Sequence, residues 1–246
     1  MKKVIYPYRN TTNQTMFDVW NKERGEVGVL GSGSDYTSFL HRGIASLDIT
    51  AGGGPTDPVY HYHSVYDSYH WMATFGDPGF VTHRSMATYL TLLLYHFVND
   101  ASLPLEPSNF APEMKEYFKE LEEHLETNNA TLDLTPLTNA IATFETAASE
   151  FDALRSLAIS SSNSDLIKVT NAKARDFHRG FTSQGGLPGR QFFHHLIFAP
   201  GLDTGYAPTT FPAITEAVTA GNLTLAQEWV GRTSRAILVA AGILKT

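Results

Sequence analysis

The chain has 246 residues, of which 42% are hydrophobic, with 18 Lys and Arg against 25 Asp and Glu for a formal charge of −7. That is enough apolar material for one large or two modest packed domains, and an acidic balance without runs of like charge excludes the basic footprint of a nucleic-acid or polybasic membrane contact. No apolar stretch approaches the ~20 residues of a membrane span, and zero cysteines exclude disulfides and thiolate metal ligands.

Along the chain, Gly25 to Gly31 encloses an apolar run, Val27 to Leu30, that reads as a buried strand. Ser34 to His41 has room for a short helix, and Gly43 to Ile49 reads as a second strand, which together make the strand, helix, strand unit of an α/β sheet. After an aromatic cluster at Tyr60 to Tyr69, the spacing of Met86, Leu90, Leu93, Leu94 and Phe97 predicts a helix packed on that sheet. The prolines of Leu103-Pro104-Leu105-Glu106-Pro107 mark a boundary, so residues 1–107 are expected to form part of an α/β domain and 108–246 a helical one.

The second part predicts a four-helix bundle. Met114, Tyr117, Phe118, Leu121 and Leu125 form the first stripe. The second starts with Thr135 as cap and Pro136 at the first helical position, and carries Leu137, Ile141, Phe144, Ala148, Phe151 and Ala158. A third runs from Asp165 to His178, and a fourth opens on the capping box Thr224-Leu225-Ala226-Gln227. Between the last two lies an interruption, Phe181 to Asn222, rich in Gly, Pro and aromatics, of the kind that is functional or pinned to a neighbour.

The chemistry concentrates in Tyr60-His61-Tyr62-His63-Ser64-Val65-Tyr66-Asp67-Ser68-Tyr69, which puts imidazole, phenol, hydroxyl and carboxylate into one run. If extended, it points His61 and His63 to one face, the edge of a metal site. A catalytic zinc takes three protein ligands and an open position, and no His-Glu-x-x-His helix or second cluster supplies the others. Taken alone, His63 reads either as a ligand or as a hydrogen-bonded structural histidine; His61 and the pair His194-His195 read as structural. Asp35 reads as a helix cap, Asp67 as an exposed carboxylate and Gly52-Gly53-Gly54-Pro55 as a surface turn. Asn10-Thr11-Thr12, Asn13-Gln14-Thr15, Asn129-Ala130-Thr131 and Asn222-Leu223-Thr224 fit the glycosylation acceptor and point to a secretory-pathway protein, extracellular or lumenal.

Leu30-Gly31-Ser32-Gly33-Ser34-Asp35-Tyr36, Gly43-Ile44-Ala45-Ser46, Tyr62-His63-Ser64-Val65-Tyr66-Asp67, Gly186-Leu187-Pro188 and Tyr206-Ala207 with Phe211-Pro212 stand in one order and spacing. In these the chain resembles the C-terminal half of the glutamate carboxypeptidase II and transferrin receptor family. The resemblance implies a co-catalytic exopeptidase with two zinc ions in the complete enzyme, acting on peptides as a carboxypeptidase or an aminopeptidase, and a homodimer formed through the helical bundle. It implies a zinc ligand at His63, a Tyr62 that holds the substrate and the tetrahedral intermediate, and a substrate pocket lined by Ser32, Gly33, Ser34 and Tyr206. The family's remaining zinc ligands and general base precede the Gly-Ser-Gly loop and are not found here, so the chain alone is expected to be inactive. A receptor-like binding module without catalysis is the alternative. Ser34, Asp48, Thr50 and Gly205 replace the asparagine, two arginines and lysine with which the family's glutamate carboxypeptidase meets acidic substrates. Charge-assisted contacts are roughly twice as strong as neutral ones, so these changes predict loss of the acidic preference.

Overall fold

A computed structural model describes residues 1–6, 14–54 and 57–245. In chain order its helices are α1 (Met16–Glu23), α2 (Tyr36–Leu40), α3 (Tyr69–Trp71), α4 (Val81–Asn99), α5 (Phe110–Thr127), α6 (Thr135–Ser160), α7 (Ser164–Asp176), α8 (His178–Phe181), α9 (Pro212–Thr219) and α10 (Leu223–Leu244). Between α8 and α9 lie the only strands among the described residues, β1 (Phe198–Pro200) and β2 (Pro208–Thr210). The chain divides into two compact units, residues 1–28 with 49–100 and residues 29–48 with 101–246.

In the first unit, α1 starts on a capping box in which Thr15 and Asp18 satisfy each other's backbone N–H groups. Helix α3 is capped by Ser68 and passes into a π-helical turn, Met72–Gly76. Asp77, buried at the start of α4, accepts the N–H groups of Thr82 at 3.1 Å and His83 at 3.0 Å and meets His83 Nδ1 at 2.6 Å. A carboxylate there satisfies orphan donors and faces the positive end of the helix dipole. The helix expected from Met86 to Phe97 is present, but it buries none of its residues, and Leu94 and Val98 stay largely exposed. The sheet expected beneath it is absent among the described residues.

The second unit holds the core. Helix α10 packs most extensively on α6 and also meets α7, α8 and α9, while α5 packs on α6, α9 and β2. Phe144, Phe151, Val230, Ile237 and Ala240 are almost wholly buried on the two long helices, and Met114, Leu121 and Leu125 form the inner stripe of α5. The close approach of α8 to α10 requires Gly180, since a Cβ there would fall against the backbone of Ala240. Lys173 of α7 donates to the carbonyls of Ile243 and Lys245, a cation on the negative end of α10. All four expected helices form, as α5, α6, α7 and α10, and α8 and α9 add to them.

Two expected caps are replaced. Thr135 is already helical, and its N–H donates to Asp133 Oδ1 at 3.0 Å. Asn222, not Thr224, caps α10, accepting from Leu225 N. Gln227 is diverted from the capping box because its amide pairs twice with the backbone of Asp133, accepting its N–H at 2.8 Å and donating to its carbonyl at 3.0 Å. That bridge joins the segment just before α6 to the second turn of α10.

The interruption from Phe181 to Asn222 is pinned to the core through Leu187, Leu196, Ile197, Phe211 and Ile214. Its strands form an antiparallel ribbon with Phe198 opposite Thr210 and Pro200 opposite Pro208. The runs at 27–30 and 43–49 are not strands. Neither finds a neighbouring strand among the described residues, and an extended segment without a ladder partner is not sheet. Val29, Leu30 and Leu40 nevertheless rest on the helical core, so residues 29–48 fold with the second unit through side-chain burial.

Candidate functional site

The glycine loop and Tyr206, 173 residues apart, are brought together in the second unit. Ser32 N donates to Tyr206 O at 2.9 Å and Ser32 Oγ donates to Gly205 O at 2.6 Å. Gly31 has no room for a side chain beside the Tyr206 carbonyl and Pro208 N, and a Cβ on Gly33, at φ +127°, would lie 2.6 Å from Tyr206 Cζ. The tyrosine ring is therefore laid across a bare stretch of backbone, with half of its surface in solvent. Ser34 is exposed and accepts Thr37 N and Thr37 Oγ1 on its carbonyl, which starts α2. Asp35 sits at the cap position of α2 but makes no side-chain capping bond, contrary to its expected role. Burial raises the Tyr36 phenol above its ordinary pKa, and the Asp48 carboxylate adds to the effect, which places a negative charge near this pocket.

The turn carrying Tyr206 is closed by Gly201 N donating to Ala207 O and Gly205 N donating to Gly201 O, both at 2.8 Å. Gly205, at φ +62°, supplies the left-handed residue the turn needs. A separate cleft of 390 Å³ beside β2 is lined by Glu120, His124 and Thr210 among others. Its Glu120 accepts from Thr210 Oγ1 at 3.0 Å, and His124 lies 3.1 Å from Thr219 Oγ1.

The aromatic cluster lies in the first unit and is folded into turns, so His61 and His63 are not carried on one face of an extended segment as expected. His63 has left-handed backbone, φ +57°, and its ring stacks on Tyr62 with centroids 3.8 Å apart and planes 22° apart. His61 instead meets the edge of Trp71 at 5.7 Å, and Tyr60 donates to Asp67 Oδ2 at 2.8 Å. Tyr62, His63 and Asp67 are exposed. For zinc the fit is incomplete: His63 offers one imidazole, and among the described residues no three His, Asp or Glu side chains are grouped as a metal would require.

Three histidines lie in the helical core, and the first of them, His41, carried no signal in the sequence. His41 Nδ1 accepts the N–H groups of His194 at 3.2 Å and His195 at 3.1 Å, tying the end of α2 to the segment before β1. His195 is fully buried against Phe198 and Phe181, and His178 stands 5.9 Å from it between ring centroids. Burial depresses all three, His41 and His178 to about 4 and His195 well below its ordinary value, with neighbouring His178 and His41 adding to the effect on His195. A lone polar residue has no periodic signature, and only its position just before the Arg42-Gly43 turn could have hinted that His41 closes α2. Of the four acceptor asparagines, Asn129 and Asn222 are exposed, and Asn10 and Asn13, with Pro55 of the glycine turn, lie outside the described residues.

Residues 132–245 match the transferrin receptor-like dimerisation domain. Over its whole length the chain is 53% identical to a protein of Arthroderma benhamiae named probable glutamate carboxypeptidase, covering 34% of that relative. It is 31% identical over 96% of its length to a probable glutamate carboxypeptidase of Arabidopsis thaliana, covering 35% of it, and 28% identical over 78% to aminopeptidase NAALADL1 of Rattus norvegicus, covering 26% of it. The chain thus spans about a third of the length of the curated relatives it matches. No helix among the described residues is long and apolar enough to cross a membrane. Residues 132–245 of this chain thus carry a transferrin receptor-like dimerisation domain, and over its whole length the chain is similar to about a third of proteins named probable glutamate carboxypeptidase.

Proposed function

We propose that this chain supplies the substrate-facing and dimerising part of a zinc-dependent exopeptidase that hydrolyses peptide bonds in the secretory pathway. The observation that carries the reading is the joining of the Ser32-Gly33-Ser34 loop to Tyr206 across 173 residues of sequence, with two hydrogen bonds and the tyrosine ring over Gly33. A backbone surface without side chains, bordered by a half-exposed phenol and hydroxyls, suits an extended peptide end. In the complete protein His63 would be one ligand of a two-zinc centre that polarises the scissile carbonyl and activates water. Tyr62 would donate its phenol to the oxyanion, and the helical unit would pair two protomers. Among these residues only His63 is assigned to the metal, so the remaining ligands and the general base come from outside this set.

Pocket charge favours neutral or amine-bearing substrates over acidic ones. Asp48 and Gly205, both in the second unit, stand at two of the positions concerned, and neither can pair with a substrate carboxylate as a cation does. This polarity supports aminopeptidase-like action, and carboxypeptidase and aminopeptidase are both named among the relatives.

The reading is tested by zinc content and peptide hydrolysis, measured on this chain alone and on protein that also contains the zinc-bearing segment of the family. The expected result is no stoichiometric zinc and no hydrolysis by the chain alone, two zinc ions and hydrolysis by the longer protein, and loss of both on His63→Ala there. Stoichiometric zinc on the chain alone, or full activity of the longer protein with His63→Ala, sinks it.

A further inference from the structure

The turn that carries Tyr206 is held on one side by Ser32 and on the other by a single ion pair. Arg190, from the loop before β1, and Glu216, on α9, have side chains only 13% and 17% exposed. Arg190 Nη2 donates to both carboxylate oxygens of Glu216, at 2.6 and 2.8 Å, while Nη1 donates to the carbonyl of Pro200 at 2.6 Å. Glu216 Oε1 accepts the N–H of Leu202 at 3.0 Å. The pair therefore grips the last residue of β1 and the turn just beyond it, through charge-assisted bonds of the stronger kind.

Arg190 is itself fixed. Its N–H donates to Leu187 O, Phe193 N donates to its carbonyl, and its guanidinium lies 5.4 Å from the centre of the Phe193 ring. Glu216 stands in the second turn of α9, whose Ile214, Ala217 and Val218 are buried in the core. The turn is thus clamped between two elements anchored in the core, and its far side presents the carbonyls of Gly205 and Tyr206 to Ser32. A planar guanidinium can serve the carboxylate and the carbonyl together. A lysine ammonium at the same place is a point donor on a flexible stem and cannot reproduce the fork.

We propose that Arg190 and Glu216 are positioning residues, which set the 201–207 turn at the height where Tyr206 covers Gly33 and its carbonyls hold Ser32. The inference rests on the reading that Ser32, Gly33, Ser34 and Tyr206 line a substrate pocket. It assigns to the pair the geometry of that pocket and no contact with the substrate.

The test uses Arg190→Lys and Glu216→Gln, with amide hydrogen exchange followed by mass spectrometry on the full chain. Exchange in peptides covering 29–35 and 200–208 should rise about tenfold while α6 and α10 keep their protection, because only the local opening equilibrium changes. Unchanged exchange at 29–35 overturns the proposal, and so does an equal rise across α6 and α10, which would mean general loosening. In protein completed with its zinc-bearing segment, the same variants should raise KM about tenfold and leave kcat within about twofold, the pattern of lost ground-state binding. Tyr206→Phe and Ser32→Ala separate the two ideas. If they move KM and the Arg190 and Glu216 variants do not, positioning is wrong and the pocket stands; if none of the four moves KM, the pocket reading is wrong.

Discussion

His63 sits in left-handed backbone that costs an L-residue on the order of 1–2 kcal/mol, and the stack with Tyr62 returns about 1 kcal/mol. His63→Gly relieves the first and forfeits the second, so the urea midpoint of the chain should hardly move, while zinc uptake by the complete protein should be lost. A marked loss of chain stability would show the ring to be structural. Gly180 is the opposite case. Ala at that position drives a methyl into the backbone of Ala240, where neither α8 nor α10 can yield, and should cost about 2–3 kcal/mol, read as a lower urea midpoint. At this scale the sequence showed chemistry better than surroundings. The Tyr-His run announced itself by composition, but its folding into turns depends on the φ of one histidine, and Arg190 and Glu216, 26 residues apart with no shared period, gave no sign that they meet.

Helices α5, α6, α7 and α10 were legible because each carries an apolar stripe of the right period, and a stripe long enough to bury is a strong constraint. Ends were less legible, since several polar residues compete to satisfy the same orphan N–H groups. Asn222→Ala should cost about 1 kcal/mol and Thr224→Ala much less, as measured by chemical denaturation, because only Asn222 accepts a helix N–H. Equal losses would restore the capping role to Thr224. The ribbon of β1 and β2 escaped notice because three residues bounded by proline carry no alternation to detect. The runs at 27–30 and 43–49 have strand composition and no strand, which shows that propensity describes what a segment can pair with and not whether a partner is there.

Across the whole molecule, stability should depend on acid. His41, His178 and His195 are held neutral in the fold, whereas in the unfolded chain they take up protons below the ordinary histidine value of 6.5. A depressed folded-state pKa contributes stability that is complete above about 6.5 and is lost as the pH falls towards 4, roughly 3 kcal/mol for each of His41 and His178 by the end of that range. Electrostatic repulsion from His194 and Arg190 adds to the effect of burial on His41, and protonation of its Nδ1 would break both bonds to the 194–195 backbone. Melting temperature measured from pH 7.5 to 4.5 should therefore fall steadily below about 6.5, and His178→Phe should flatten the decline; a flat profile for the unsubstituted chain would refute the assignment. The same long tether has a meaning during synthesis. Residues 29–48 leave the ribosome some 150 residues before His194 and Tyr206, which at 5–20 residues per second is a wait of about eight to thirty seconds with Val29, Leu30 and Leu40 uncovered. The first part of the pocket to be made is the last to be closed, and in a cell that interval is where a chaperone would be needed.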